Sequence, residues 1–199
     1  MPISHKNKLI FIHIPKNAGT SITDSEGMNF SFKGHHLPSF YKSNFPNQWE
    51  NYIKFCVIRN PWDRVVSNYE YARMPESHWH SVSGNSIYGA HPDYKNLIKL
   101  NFKETLQAFK EDNNFLKHQG WESQNKYIYN NEGLMLLDYV FKLEDIELDL
   151  KFKKIIPNLS VKNVSKKSYK KYKDYYDNET KDIVSEIYAK DIELFKFKF

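Results

Sequence analysis

Lys16, Gly19, Thr20 and Ser21 stand close together, directly after the apolar run Leu9–Ile14 that only His13 interrupts. Such a run reads as a strand buried on both faces, the kind found inside a parallel sheet. Pro15 lacks an amide donor and fixes its own backbone angle, so it ends the strand. Lys16, Asn17, Ala18 and Gly19 then form a short loop, and Thr20 and Ser21 are residue types that cap helices. Loop amides, the positive end of a helix and the charge of Lys16 together make a site for an anion such as phosphate or sulfate. The usual nucleoside-triphosphate loop differs, because it needs two glycines and a Lys directly before Ser or Thr. Here Lys16 precedes the only glycine of the stretch. A plain strand–loop–helix turn has the same composition, so both readings stand on these residues alone.

A second cation has the same setting. Phe55, Cys56, Val57 and Ile58 make another continuous apolar run, giving a strand over Tyr52–Ile58 with Arg59 at its C-terminal end. Asn60 and Pro61 suit a helix start, and Val65, Val66, Tyr69 and Ala72 keep helical spacing as far as Met74-Pro75. Ligands of parallel α/β folds collect beyond the carboxyl ends of strands, where Lys16 and Arg59 both stand. Arg59 offers a forked cation to an anion. Ser67, two turns into the helix, either donates its hydroxyl to the same anion or is an ordinary helical serine. Arg64 shares its helix face and has a carboxylate partner as its plainer role.

A proton acceptor working near neutral pH would be a histidine, and the chain has eight. His5 lies near the terminus. His13, inside the first strand, reads as a core or edge residue. His35 and His36 follow Gly34, between the two cation motifs. His78, His80 and His91 fall in a Ser-, His-, Gly- and Asn-rich excursion over residues 75–96. His118 precedes Trp121 and Gln124, a trio that could line an acceptor cleft.

These residues need a scaffold. Gly27 and the polar stretch to Gly34 break the first helix, and a Tyr-, Phe- and Asn-rich loop runs from Pro38 to Pro46. Asn101 and Glu104 form a capping-box pattern that opens a helix to about Glu111. Gln124–Tyr129 gives a helical turn, Tyr139–Leu143 a third strand, Glu144–Ile156 a helix stopped by Pro157, and Val161–Val164 a short strand. Ile183, Val184, Ile187, Tyr188 and Ile192 share one face of a last helix over about Asn178–Phe195. Strands alternating with helices predict an α/β protein, a single-domain parallel sheet flanked by helices over residues 1–199.

With 199 residues, 40% hydrophobic and 16% aromatic, the chain is long and apolar enough for one folded domain. Its net charge of +5 favours anionic partners. Cys56 is the only cysteine, so an intrachain disulfide is excluded, and its surroundings make it a small buried hydrophobe. No run approaches the length of about eighteen apolar residues that spans a membrane. The polar N-terminus carries no signal peptide, which makes the cytoplasm the expected location. No metal-ligand cluster stands out. Two other classes fit parts of the chain. A nucleotide kinase would need the Gly-rich loop that is missing here. A nucleic-acid module would use the basic-aromatic run Lys166, Lys167, Tyr169, Lys170, Lys171, Tyr172 and Lys173, whose plainer reading is a solvated surface.

Phe11–Ser21 resembles the 5′-phosphosulfate loop of carbohydrate-type sulfotransferases, enzymes that use 3′-phosphoadenosine 5′-phosphosulfate (PAPS). Val57–Ser67 is similar to that family's 3′-phosphate motif, in the expected order. Gln124–Leu150 and the C-terminal region resemble later parts of the family, while residues 75–120 are the least recognisable. The resemblance implies a P-loop NTPase-like three-layer sandwich and transfer of a sulfuryl group to a hydroxyl, on a glycan in most of this branch, without a metal, leaving PAP. It implies that Lys16, Asn17, Ala18, Gly19, Thr20 and Ser21 hold the phosphosulfate and that Arg59 and Ser67 hold the 3′-phosphate. It further implies that Lys16 faces the bond that breaks. A Gly-His unit carries the base in related enzymes, and Gly34-His35 matches it, with His36 the neighbouring candidate. No nucleic acid and no membrane span are expected, and the sequence carries no sign of an oligomeric state.

Overall fold

A computed structural model describes residues 2–31, 34–75, 91–159 and 171–199. The strand expected at Val161–Val164, His78 and His80, and Lys166, Lys167, Tyr169 and Lys170 of the basic run lie outside the described residues. Contacts divide the chain into two compact units, Met1–Asn60 with Ser123–Ser168, and Pro61–Glu122 with Tyr169–Phe199.

The apolar runs of the first unit become neighbouring strands. β1 (Ile3–Ser4), β2 (Leu9–Ile12), β3 (Ile53–Ile58) and β4 (Tyr139–Lys142) form one sheet in that order. β2, β3 and β4 run parallel, with Phe11 opposite Phe55 and Val57 opposite Phe141. β1 adds an antiparallel edge, with Ile3 opposite Ile10. Its two residues carry too little periodicity to be read from sequence. The fold is therefore α/β with a mostly parallel sheet, as expected.

Alternation along the strands divides their side chains between two faces. Leu9, Phe11, Phe55, Val57 and Phe141 pack with Ile22, Met28, Ile146, Phe152 and Ile156. Phe55 stacks on Phe11 with ring centroids 5.1 Å apart, and Phe152 meets Phe141 edge-on at 5.2 Å. Ile10, Ile12, Cys56 and Ile58 on the other face are also buried, so the two-sided burial read from the apolar runs holds. Burial pushes the Cys56 thiol up, which keeps it protonated and inert.

The connections differ from expectation in ways that have local causes. α1 (Gly19–Thr23) is a single short turn. The loop expected between Pro38 and Pro46 is instead α2 (Pro38–Asn44), followed by α3 (Pro46–Asn51). Each proline sits at the first turn of its helix, where its missing N–H costs nothing. The helix expected over Glu144–Ile156 is divided. A 3₁₀ turn, Leu143–Asp145, is followed by Asp149, whose carboxylate accepts from the Lys151 and Phe152 amides and so starts a new helix (Leu150–Ile155).

The second unit is helical. It contains α4 (Pro61–Ala72), α5 (Tyr94–Leu97) and α6 (Phe102–Glu111), so the Leu150–Ile155 helix of the first unit is α7 in chain order. Val65, Val66, Tyr69 and Ala72 are the buried face of α4, as their spacing predicts. The Asn101–Glu104 capping box forms with both reciprocal hydrogen bonds. The single last helix expected from sequence is two, α8 (Asn178–Ile187) and α9 (Ala189–Phe195). The chain bends at Tyr188, which is buried and donates its hydroxyl to the Trp121 carbonyl at 2.8 Å. Packing of one side chain overrides a helical pattern that continues across it.

Candidate functional site

β2 and β3 end side by side, and the residues just beyond them converge. Arg59 Nη1 donates to the Lys16 carbonyl at 3.1 Å, which ties the second motif to the first. Lys16 and Ala18 have left-handed backbones, with φ of 69° and 57°. Such conformations are costly for residues with a Cβ, and they persist where surrounding bonds impose them. Burial and the neighbouring Arg59 guanidinium pull the Lys16 ammonium down to about 7. Like-charged groups brought together at a strand end favour an anion, which restores the charged form of the lysine.

Helix geometry contributes less than the sequence suggested. The residue preceding α1 is Ala18, with no side-chain cap, and Thr20 and Ser21 are the second and third helical residues rather than caps. Ser21 is buried and its carbonyl accepts from Ser25 Oγ; Thr20 is half-buried. A five-residue helix has a weak dipole, which leaves Lys16, Arg59 and the loop amides as the groups that could hold an anion.

His13 is more than a core residue. Its ring stacks on Phe11, with centroids 5.3 Å apart, and lies over Gly19. A Cβ at residue 19 would fall 1.6 Å from His13 Nε2, so this position needs glycine for space. His35 also meets the His13 ring, with centroids 4.0 Å apart, and its Nδ1 lies 2.9 Å from the His13 carbonyl oxygen. A carbonyl only accepts, so Nδ1 carries the proton and the lone pair belongs to Nε2. His36 turns elsewhere. It stacks on Phe40 at 4.2 Å and meets Tyr41 edge-on, and burial, followed by the charge of the chain's N-terminus, lowers its pKa. A Gly19→Ala substitution should therefore displace His13 and weaken binding of adenosine 3′,5′-bisphosphate by about 10- to 100-fold, with Gly19→Ala/His13→Ala regaining affinity. Nucleotide titration of both variants checks this.

Lys16, Asn17, Arg59 and Gln124 are brought together in the first unit, as are His13 and His35. Gln124 is fully buried, and its amide hydrogen-bonds Asn17 and the main chain of Arg59. Ser67, His118 and Trp121 stand in the second unit. Ser67 is half-buried on α4. His118 Nδ1 accepts from the Gly120 amide at 3.0 Å. Asp93, also buried, takes the indole N–H of Trp121 at 2.9 Å and the Lys117 and His118 amides. Sequence reading missed the His13–Gly19 approach and the Asn17–Gln124 bond. Neither has a local pattern, since the latter joins residues 107 positions apart.

The fold is a mostly parallel α/β sheet with Lys16 and Arg59 just beyond the ends of adjacent strands. The sequence profile of the sulfotransferase family matches residues 1–198, and the chain belongs to that family. Its activity is sulfuryl transfer. Searches among curated proteins and solved structures gave no significant match. Among the described residues no helix is long and apolar enough to cross a membrane, and no group of three or more His, Cys, Asp or Glu residues is placed to hold a metal ion.

Proposed function

We propose that the chain transfers the sulfuryl group of PAPS to a carbohydrate hydroxyl, with His35 as general base. The observation that carries this reading is the juxtaposition of Lys16 and Arg59 at the ends of adjacent parallel strands, with the His13–His35 pair over the same loop. Bound there, PAPS presents a sulfuryl group whose leaving group is a phosphate. Lys16 and the amides of residues 17–20 stabilise the negative charge that grows on the phosphate oxygen as the S–O bond breaks. Arg59 holds the 3′-phosphate. His35 Nε2 takes the proton of the attacking hydroxyl, while the His13 carbonyl fixes the tautomer through Nδ1. A hollow of about 440 Å³, lined in part by Ala18, Ser21, Leu143, Ile146, Leu148 and Leu159, lies beside the loop and suits the flat adenine ring.

Lys16 makes nucleotide binding depend on pH. Its ammonium titrates near 7 in the ligand-free protein, and a bound dianion raises that value. Binding at pH 8 should therefore take up nearly one proton, and affinity should fall by up to about tenfold per pH unit above 7. Calorimetry of adenosine 3′,5′-bisphosphate in two buffers of different ionisation enthalpy measures that proton. The catalytic reading itself is tested by transfer of radiolabelled sulfate from PAPS to a panel of glycans, a tyrosine peptide and a simple phenol. Label on a glycan is the expected result. Label on the phenol or peptide alone would assign a different acceptor class.

A further inference from the structure

We propose that Gln124, working with Asn17, fixes the spacing between the Lys16 loop and Arg59, and is thus a positioning residue for sulfuryl transfer; this rests on assigning those two cations to the donor's anions. β3 runs beyond its last residue paired to β2, which is Cys56 opposite Ile12. Past that point Val57 and Arg59 present main-chain groups on one edge, where a neighbouring strand would normally satisfy them.

Two side-chain amides take the strand's place. Asn17 Nδ2 donates to the Val57 carbonyl at 2.8 Å. Gln124 Oε1 accepts from the Arg59 amide at 3.0 Å, and Gln124 Nε2 donates to the Arg59 carbonyl at 2.9 Å. A side-chain amide carries the same donor and acceptor as a peptide group, so Gln124 acts as one further rung of the ladder. Asn17 Nδ2 also donates to Gln124 Oε1 at 2.7 Å, which closes the network across the loop. Both side chains are 0% exposed.

This arrangement holds both ends of the cation pair. Asn17 sits between Lys16 and Ala18, the two residues in left-handed conformation, and its side chain anchors the strained loop to β3. Arg59, gripped on both main-chain groups by Gln124, aims its guanidinium at the Lys16 carbonyl. Without Gln124, the loop loses one anchor and the end of β3 loses its edge partner. The separation of the two charges is then no longer defined, and a nucleotide bearing anions at both its 5′ and 3′ positions is sensitive to that separation. Gln124 contacts no reacting atom in this account; it acts through Arg59 and Asn17.

Titration of adenosine 3′,5′-bisphosphate into wild type, Gln124→Met, Gln124→Glu, Asn17→Ala and Asn17→Ala/Gln124→Met tests this, with circular dichroism confirming that each variant is folded at the titration temperature. Gln124→Met should weaken binding about tenfold, and the double variant should lose about as much as either single one, because the two amides act as a unit. Gln124→Glu should be weaker still, since it cannot donate to the Arg59 carbonyl and adds negative charge beside the cations. Folded variants that bind within about twofold of wild type, or losses that simply add in the double variant, would overturn the positioning role. Wild type that binds no nucleotide would instead overturn the donor assignment, and the positioning role with it.

Discussion

Lys16→Ala should lower kcat/KM for sulfuryl transfer by about 10²- to 10³-fold, the loss typical of removing one preorganised stabilising group from a developing anion. The substitution leaves the Lys16 carbonyl in place for Arg59, so the loop keeps that tie while the charge disappears. Nucleotide affinity should fall as well, because the ammonium acts on the ground-state phosphates. The proton taken up on binding should vanish with the side chain, since burial and Arg59 set the titration of this lysine near 7. Lys16→Arg should not restore activity: a planar fork does not reproduce a compact point charge at a half-buried position. Steady-state kinetics with both variants, beside the two-buffer calorimetry, separates charge from geometry. Unchanged binding and turnover in Lys16→Ala would remove this lysine from the site.

His35→Ala should reduce transfer by about 10²- to 10⁴-fold, the usual contribution of a positioned general base. The affinity for adenosine 3′,5′-bisphosphate should stay within about twofold, because this ring receives a proton and does not grip phosphate. His36→Ala provides the contrast. Its ring stacks on Phe40 and meets Tyr41, away from the His13 carbonyl, so most activity should remain. Strong loss in His36→Ala with activity retained in His35→Ala would exchange the two assignments.

Much of the sheet was legible because its strands are unbroken apolar runs. Leu9–Ile12 is buried throughout, Ile53–Ile58 is buried from Phe55 onward, Tyr139–Lys142 buries Phe141 and half-buries its other residues, and the three lie parallel. The Asn101–Glu104 box was equally readable, since both partners of each bond lie within one turn. Errors came where a local signal had two meanings. Pro38 and Pro46 read as breaks in a loop, yet each opens a helix. The apolar face running through Tyr188 read as one helix, although burial of that tyrosine bends the chain there.

The site was legible to the same depth. Lys16 and Arg59 are visible because each directly follows an apolar strand. The residues that hold them in place are not. Gln124 looks like any polar residue in a helical turn, and only its hydrogen bonds to Asn17 and Arg59 give it a role. His13 looks like a stray polar residue in a strand until Gly19 is found under its ring. Such contacts depend on where distant segments come to rest, which spacing along the chain does not encode.

Calorimetric titration of adenosine 3′,5′-bisphosphate in metal-free buffer, alongside ATP with Mg²⁺, tests the central claim most directly. Saturable binding of one bisphosphate nucleotide per chain without added metal, weakened by salt, by pH above 7 and by Lys16→Ala, is the expected result. Absence of binding by the bisphosphate nucleotide, or tighter binding of ATP with Mg²⁺, would contradict it.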